Sequence, residues 1–332
     1  MGIDRGEELK GFTIIEVMLF LALSGFLMVG ILAGTGSSIS NQRYKDAVQD
    51  AAEALRKAYS FVSDTQVNER DAKEGICGST IEKSLALNGD SSNTGRGRTN
   101  CAVYGAVVTI YKDRVQTTSL IGKDYYDYVR QLNSKTSSSD KVAAEERARL
   151  NDTSISDIEL LKILKVNNLA YQCSEASTSS CAVTVAGNVR TQKLKWDTLF
   201  KKPNQVGSEK KNEDLSITLM IYRSPITGAI RTVVMDEAIS VGGKVVDYED
   251  LPSDPDPKKY GVYESIEQSI KKPKFVQKDV YFCVDSNGMD SYTDHNRVIH
   301  VVKNAHSQTG IVIEDMDAVI RDKDGNEVSC DK

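Results

Sequence analysis

The sequence lacks the short motifs that mark several large enzyme classes. It contains no Gly-x-Ser-x-Gly, the nucleophile elbow of the α/β-hydrolases, and no glycine-rich phosphate loop. It has no Cys-x-x-Cys pair of the kind found in zinc and redox sites. Because no catalytic constellation is visible, we expect that the chain is not an enzyme and that it takes no cofactor.

An excess of positive charge is also missing. The chain has 42 Lys and Arg against 47 Asp and Glu, a formal net charge of −5. The basic run at 95–98 (GRGR) is too short to indicate a nucleic-acid surface and is typical of a loop. We therefore expect no nucleic-acid partner.

Histidine is scarce. His295, His300 and His306 lie close together near the C-terminus, but no motif around them gives a metal-ligand geometry. Surface or structural histidines are the favoured interpretation, and no metal is predicted.

Several oxygen-bearing side chains near residue 290 raise the question of calcium. Asp285, Asn287, Asp290 and Asp294 alternate with other residues, but a glycine comes too early and no Glu closes the loop. A polar hairpin turn is favoured. A calcium site near Asp285, Asn287 and Asp290 is the weaker alternative.

The strongest positive feature is an apolar run near the N-terminus that contains one acid. Phe12 to Ala33 would form a helix about 33 Å long at ~1.5 Å per residue, which matches a bilayer hydrocarbon core. Glu16 lies inside this run, where a carboxylate needs a partner. Cleavage after Gly11 would create an α-amine on Phe12, one helical turn before Glu16.

Two simpler interpretations of this segment are weaker. A secretory signal peptide needs a positive region before its apolar core, yet the residues before Val17 carry four acids and two bases. A plain membrane anchor explains the length of the run but offers no role for Glu16.

The pattern resembles the prepilin family, which comprises type IV pilins and the pseudopilins of type II secretion. The resemblance covers Gly11 to about Val62 and rests on the string Gly-Phe-Thr-Ile-Ile-Glu directly before the apolar run. One departure is visible: many major pilins have a helix-kinking Pro in this run, and this chain has none. The available weak points are Gly25, Gly30, Gly34 and Gly36.

The resemblance implies processing and assembly. Residues 1–11 would be a leader removed by a prepilin peptidase, which cuts between Gly11 and Phe12 and methylates the new amine. The new amine of Phe12 could then pair with Glu16 of the same chain or of a neighbouring subunit, and pairing between subunits would be part of filament assembly. The implied partners are other pilin subunits, the peptidase, the assembly machinery and the membrane. The implied location is the inner membrane for the precursor, as a single-pass protein, and then the extracellular pilus.

The head of about 270 residues is large for the most abundant subunit of a filament, so a low-copy minor pilin is the favoured function. A large-headed major pilin and a pseudopilin of a secretion system share the same N-terminal pattern and stay open. The alternatives from other classes are a membrane-tethered adhesive or binding domain that does not polymerise, and an enzyme on a pilin-like stalk.

Six cysteines in a chain that this segment would export favour disulfides over zinc. They are Cys77, Cys101, Cys173, Cys181, Cys283 and Cys330. Sequence alone cannot choose among the possible pairings. Proximity suggests Cys77–Cys101, Cys173–Cys181 and Cys283–Cys330, with the middle pair closing a hairpin.

The helix is expected to continue past the apolar run to about Ser63. Apolar residues recur there at steps of three and four, which places them on one face that would pack on a globular head. They are Tyr44, Val48, Ala51, Leu55, Ala58 and Val62.

The head reads as mainly β. Strands are predicted at 102–111, 191–196, 215–223, 229–235, 279–284, 297–302 and 310–314. Helix is predicted from Asp124 to about Asn168 with a polar break at 133–140, and a capping box at Ser156–Glu159 begins its last part. Residues 201–214 are expected to form a charged loop.

The predicted fold class is therefore α+β, with a long N-terminal helix packed on a mainly antiparallel sheet. The predicted organisation is a leader at 1–11, a helix at 12–63 with a transmembrane half at 12–33, and a head at 64–332. The head would contain a partly helical insertion around 123–212.

Overall fold

A computed structural model describes residues 13–63, 101–134, 141–150, 152, 154–164, 166–168, 171–173, 181–183, 190–205, 213–236, 240–241, 244–245, 276–285, 297–314, 320–321 and 327–330. Within these ranges the chain combines a long helix with antiparallel sheets, as the α+β prediction requires. The helices are α1 (Ile14–Ser63), α2 (Tyr125–Ser134), α3 (Lys141–Leu150) and α4 (Asp157–Ile163).

The strands of the first part of the head are β1 (Cys101–Tyr111), β2 (Arg114–Lys123), β3 (Asn167–Asn168), β4 (Tyr171–Cys173), β5 (Cys181–Val183), β6 (Arg190–Lys193), β7 (Leu199–Lys201) and β8 (Asn204–Gln205). Those of the second part are β9 (Ser216–Arg223), β10 (Ile230–Met235), β11 (Ser240–Val241), β12 (Lys244–Val245), β13 (Val280–Asp285), β14 (Arg297–Val301), β15 (Ile311–Glu314), β16 (Ile320–Arg321) and β17 (Glu327–Ser329). A short 3-10 helix, Gln308–Gly310, precedes β15.

The main sheet has the order β10-β9-β1-β2-β3, and β6 also pairs with β2. A second sheet has the order β15-β14-β13-β7, and a smaller one has the order β16-β17-β8. Gly105 allows close approach within the main sheet, since a Cβ there would lie 2.0 Å from the carbonyl oxygen of Ile221. Gly228, in the turn from β9 to β10, has φ +69°, a conformation that glycine adopts without steric cost.

The two faces of the main sheet are covered by different helices. One face packs against the second half of α1 and also against the β13–β15 sheet, with Val108, Leu219 and Phe282 among its buried members. The other face packs against α2 and α4, where Val107 and Leu160 are buried. Neighbouring residues such as Val107 and Val108 point to opposite faces, which is the alternation expected of a strand buried on both sides.

The predicted apolar face of α1 is confirmed. All six residues that carry the pattern are buried against the head: Tyr44, Val48, Ala51, Leu55, Ala58 and Val62. Four further residues of the same helix, Ala47, Ala52, Ala54 and Tyr59, are buried with them. Because this half of α1 contributes ten buried side chains, a head beginning at residue 64 would lack part of its own core.

Most predicted strands are present, and the capping box at α4 is confirmed: Glu159 N donates to Ser156 Oγ at 3.3 Å, and Ser156 N donates to Glu159 Oε2 at 3.4 Å. The prediction of helix up to Asn168 is wrong at its end. α4 ends at Ile163, and Asn167–Asn168 pairs with β2 as β3.

The prediction of a charged loop at 201–214 is wrong at its ends. Lys201 and Asp214 face each other as a β-bridge, with Nζ and Oδ1 2.6 Å apart. Asn204–Gln205 forms β8. Charged residues are compatible with strands here because they lie at partly exposed positions, where opposite charges can pair across neighbouring strands.

The disulfide between Cys283 and Cys330 ties the end of the chain to β13. The two Cα atoms are 5.5 Å apart, and both residues are buried. This is the pairing that sequence proximity suggested. Cys173 and Cys181 face each other in the register of β4 and β5. Cys77 lies outside the described residues, so the pair Cys77–Cys101 stays a prediction.

We expect the Cys283–Cys330 bond to stabilise the head more than a bond between Cys173 and Cys181. The first bond closes 47 residues of chain, about 4 kcal/mol in the loop-entropy model, and the second would close a much shorter loop, about 2.5 kcal/mol. Paired replacement by serine leaves no unpaired thiol. Cys283→Ser with Cys330→Ser should therefore lower the Tm of a fragment of residues 38–332 more than Cys173→Ser with Cys181→Ser. An equal or reversed order would contradict this expectation.

A second prediction concerns alkaline pH. Burial raises the pKa of Tyr59 to about 12. In the unfolded chain a tyrosine ionises near pH ~10. Between these two pH values the tyrosine is ionised in the unfolded chain but still neutral in the folded one. The contribution of Tyr59 to the free energy of unfolding is therefore fully present below pH ~10 and is lost as the pH rises toward 12. The loss from pH ~9 to ~11 should be about 1.4 kcal/mol for this tyrosine.

Tyr59→Phe should flatten this pH dependence, besides lowering stability at every pH through the lost hydrogen bond. Tyr126→Phe is the matched control, because its side chain is 76% exposed in the folded chain. Denaturant unfolding of both variants across the alkaline range measures the two slopes. If Tyr59→Phe keeps the wild-type slope, the neutral form of Tyr59 contributes nothing to alkaline stability.

Candidate assembly site on the N-terminal helix

One continuous helix carries two different surfaces. From Tyr44 onward α1 is packed on the head, whereas the large apolar side chains of its first half are exposed. The exposed large residues of this half are Ile14, Ile15, Val17, Met18, Leu19, Phe20, Leu21, Leu23, Phe26, Leu27, Met28, Val29, Ile31, Leu32 and Ile39. An exposed apolar surface of this size is typical of segments that contact a membrane or other proteins.

Within the described residues, α1 is a helix long and apolar enough to cross a membrane by length and composition. The helix is continuous through Gly25, Gly30, Gly34 and Gly36. A Cβ added at any of these glycines would meet nothing within 4 Å. Each glycine therefore leaves a small gap in the exposed surface of the first half of α1.

Glu16 caps the beginning of α1. Its Oε2 accepts hydrogen bonds from Thr13 N at 3.0 Å and from Thr13 Oγ1 at 3.1 Å. In return, Glu16 N donates to Thr13 Oγ1 at 3.3 Å. This reciprocal pattern is a capping box, which satisfies backbone donors that a helix start otherwise leaves free.

The capping box was readable in the sequence as Thr-x-x-Glu, but sequence reasoning missed it. It overturns the argument that a plain anchor has no role for Glu16, because the acid has local partners within its own chain. Those partners are neutral, however, and within the part of the chain that the structure describes no Lys or Arg forms an ion pair with Glu16. Gly11 and Phe12, the predicted processing site, lie outside the described residues.

Polar contacts hold the second half of α1 to the head. Tyr44 Oη donates to Val284 O at 2.8 Å and accepts from Arg297 N at 2.6 Å. Tyr59 Oη lies 2.8 Å from Thr232 Oγ1. Because Thr232 Oγ1 itself donates to Ala305 O at 2.7 Å, Tyr59 is the donor of this pair.

The C-terminal end of α1 is also capped. Arg223 of β9 places its guanidinium against the last carbonyls of the helix, at 3.3 Å from Val62 O and 3.1 Å from Ser63 O. A positive charge is favourable at this end of a helix. The packed half of α1 is thus held to the head by hydrogen bonds at both of its ends.

The histidines form no metal centre among the residues that the structure describes, where no group of His, Cys, Asp and Glu could hold a metal ion. His300 lies between two carboxylates, with Nδ1 2.9 Å from Glu314 Oε1 and Nε2 3.0 Å from Asp279 Oδ1. Its ring stacks on Tyr281. His300 therefore links neighbouring strands. His306 is exposed, and His295 lies outside the described residues.

The candidate calcium ligands fall at the edge of a described range. Asp285 ends β13, and Asn287, Asp290 and Asp294 lie outside the described residues.

Comparison of the chain with known protein families, with curated proteins and with solved structures gives no match.

Proposed function

We propose that this chain is a structural subunit of a type IV pilus-like filament, in the role of a low-copy minor pilin. The observation that carries the proposal is the division of α1 into a packed half and an exposed apolar half. A subunit of this kind is first held in the membrane by the exposed half. The same surface then packs against the corresponding helices of other subunits.

Transfer of the exposed half of α1 from the bilayer to a bundle of subunit helices is reasonable on physical grounds. Both surroundings are apolar, so leaving the bilayer for a bundle of helices costs little hydrophobic energy. Small residues allow helices to approach closely, and the four open glycines of α1 lie in this half. A carboxylate in apolar surroundings gains most from an opposite charge. The methylated amine of Phe12 on a neighbouring subunit would supply it.

A pseudopilin of a secretion system fits the same observations. A non-polymerising membrane tether is favoured by one observation, the capping box, because it accounts for Glu16 within a single chain. An enzyme on a pilin-like stalk has no such support. The experiments below separate filament subunits, of either kind, from a tether.

Processing is the first expectation. The mature protein should begin at Phe12 and carry one methyl group on its amine, because the motif at Gly11 and Phe12 is that of a peptidase site. Mass spectrometry of the N-terminal peptide measures both. Gly11→Val should leave the precursor uncut, and Gly6→Val in the leader is the matched control. A mature start at Ser37, or an intact Met1 in wild-type protein, would be incompatible with the proposal.

The role of Glu16 is tested by separating its charge from its capping function. Gln completes a capping box as Glu does, but it has no charge. Glu16→Gln should therefore insert normally yet enter filaments at least about tenfold less, since a charge-assisted hydrogen bond contributes about 1.5–3 kcal/mol. Quantitative immunoblots of sheared filaments and of membranes measure the ratio.

Thr13→Val is the matched control, because it removes the hydroxyl of the capping box and keeps the carboxylate. It should enter filaments at close to the wild-type level. N-terminal peptides of both variants must first show normal cleavage. If Glu16→Gln enters filaments normally while Thr13→Val does not, Glu16 is a capping residue only and the tether gains the advantage.

A further inference from the structure

Trp196 is the one Trp of the chain, and it occupies an unusual turn between β6 and β7. Thr198 N donates to Lys195 O at 3.3 Å, and the two residues between them have positive φ, +61° at Trp196 and +54° at Asp197. Two consecutive left-handed residues are typical of a type I′ turn, which favours Asn and Gly. Trp is strained in this conformation. The backbone conformation of the turn therefore does not explain why a Trp occupies this position.

The core gives no reason either. The side chain of Trp196 is 44% exposed and belongs to none of the buried clusters of the described residues. Its ring lies against α1, with the guanidinium carbon of Arg43 4.6 Å from the ring centroid. Lys195 Nζ is 2.5 Å from Asp50 Oδ2, which attaches the same turn to the helix. The fold therefore holds an exposed indole beside Arg43.

Arg43 has a distinctive position along α1. Val17 to Gln42 contains no charged residue, so Arg43 is the first charge beyond the apolar half. As a helix this uncharged stretch is about 39 Å long at ~1.5 Å per residue, close to the ~40–45 Å of a bilayer that includes its headgroups. Trp is enriched at the boundary between membrane and water, and Arg extends its charge to the same level.

We propose that Trp196, held by Arg43, contacts the headgroup region of the bilayer while the chain is anchored by α1, and that it sets the depth of the membrane span. This inference rests on the membrane-held stage of the proposed function. The charges beside the ring are of both signs, with Arg43 and Lys195 near Asp46, Asp50 and Glu53. Zwitterionic lipid is therefore a sufficient partner, and the indole provides the contact.

The single Trp makes the contact directly measurable. The full chain is placed in phosphatidylcholine vesicles, in which a part of the lipid is brominated close to the headgroups, and flotation shows whether it is anchored. Trp196 fluorescence should be quenched by the brominated lipid, and aqueous iodide should quench it poorly. Fluorescence that iodide quenches fully and brominated lipid leaves unchanged, in protein that floats, would overturn the headgroup contact.

The matched control moves the Trp to the far end of the head by combining Trp196→Asn with Tyr126→Trp. β2 begins beside β6, with Arg114 opposite Lys193, and runs ten residues, about 33 Å, away from the turn before Tyr126 follows it. The control should float, respond to iodide and ignore brominated lipid. Asn suits the left-handed turn, so its Tm should not fall below that of the wild type.

The outcomes separate the two levels of inference. Protein that fails to float overturns the membrane span and the contact that depends on it. Protein that floats with an iodide-accessible Trp196 overturns the headgroup contact alone and leaves the anchor in place. Identical quenching of wild type and control also overturns it, because the effect would then not belong to this site.

Discussion

The close packing of the second half of α1 on the main sheet is the contact on which the rest of this structure depends. Alanine dominates the buried face of the helix, with Ala47, Ala51, Ala54 and Ala58 among its members. Small side chains let the helix axis approach the sheet, and buried polar contacts from Tyr44 and Tyr59 hold the helix in place along its axis. Removing this half would expose part of one face of the main sheet, so helix and head form one folding unit.

The arrangement of Glu16 is compatible with both a membrane anchor and a filament subunit. In a single chain its carboxylate accepts two hydrogen bonds from Thr13, which reduces the cost of placing an acid near lipid. The donors of Thr13 are neutral, so they bring no positive charge to the carboxylate. A carboxylate with these hydrogen bonds is thus compatible both with a position in the membrane and with later pairing to an amine. Its presence alone does not separate an anchor from a filament subunit.

The sequence predicted the buried face of α1 because its apolar residues repeat at helical spacing and face a single surface. It did not predict β2, in which Gln116, Thr118 and Ser119 are buried polar residues, so the usual apolar alternation is absent. β8 was missed because the charges at 201–214 suggested a loop, whereas its pairing partner β17 comes from a distant part of the chain. The Trp196 turn could not be predicted, since its sequence contradicts the preference of its backbone conformation.

The way α1 is attached has a mechanical consequence. The polar contacts from Tyr44 to Ser63 are distributed over nearly 30 Å of helix, at ~1.5 Å per residue. Tension applied along the free half would load these contacts together, in shear, instead of breaking them one after another from one end. The hydrogen bonds from Arg223 to the last turn of α1 add resistance at the end of the helix farthest from the applied tension. A fibre built from such subunits would transmit a pull from helix to head without first unfolding the joint between them.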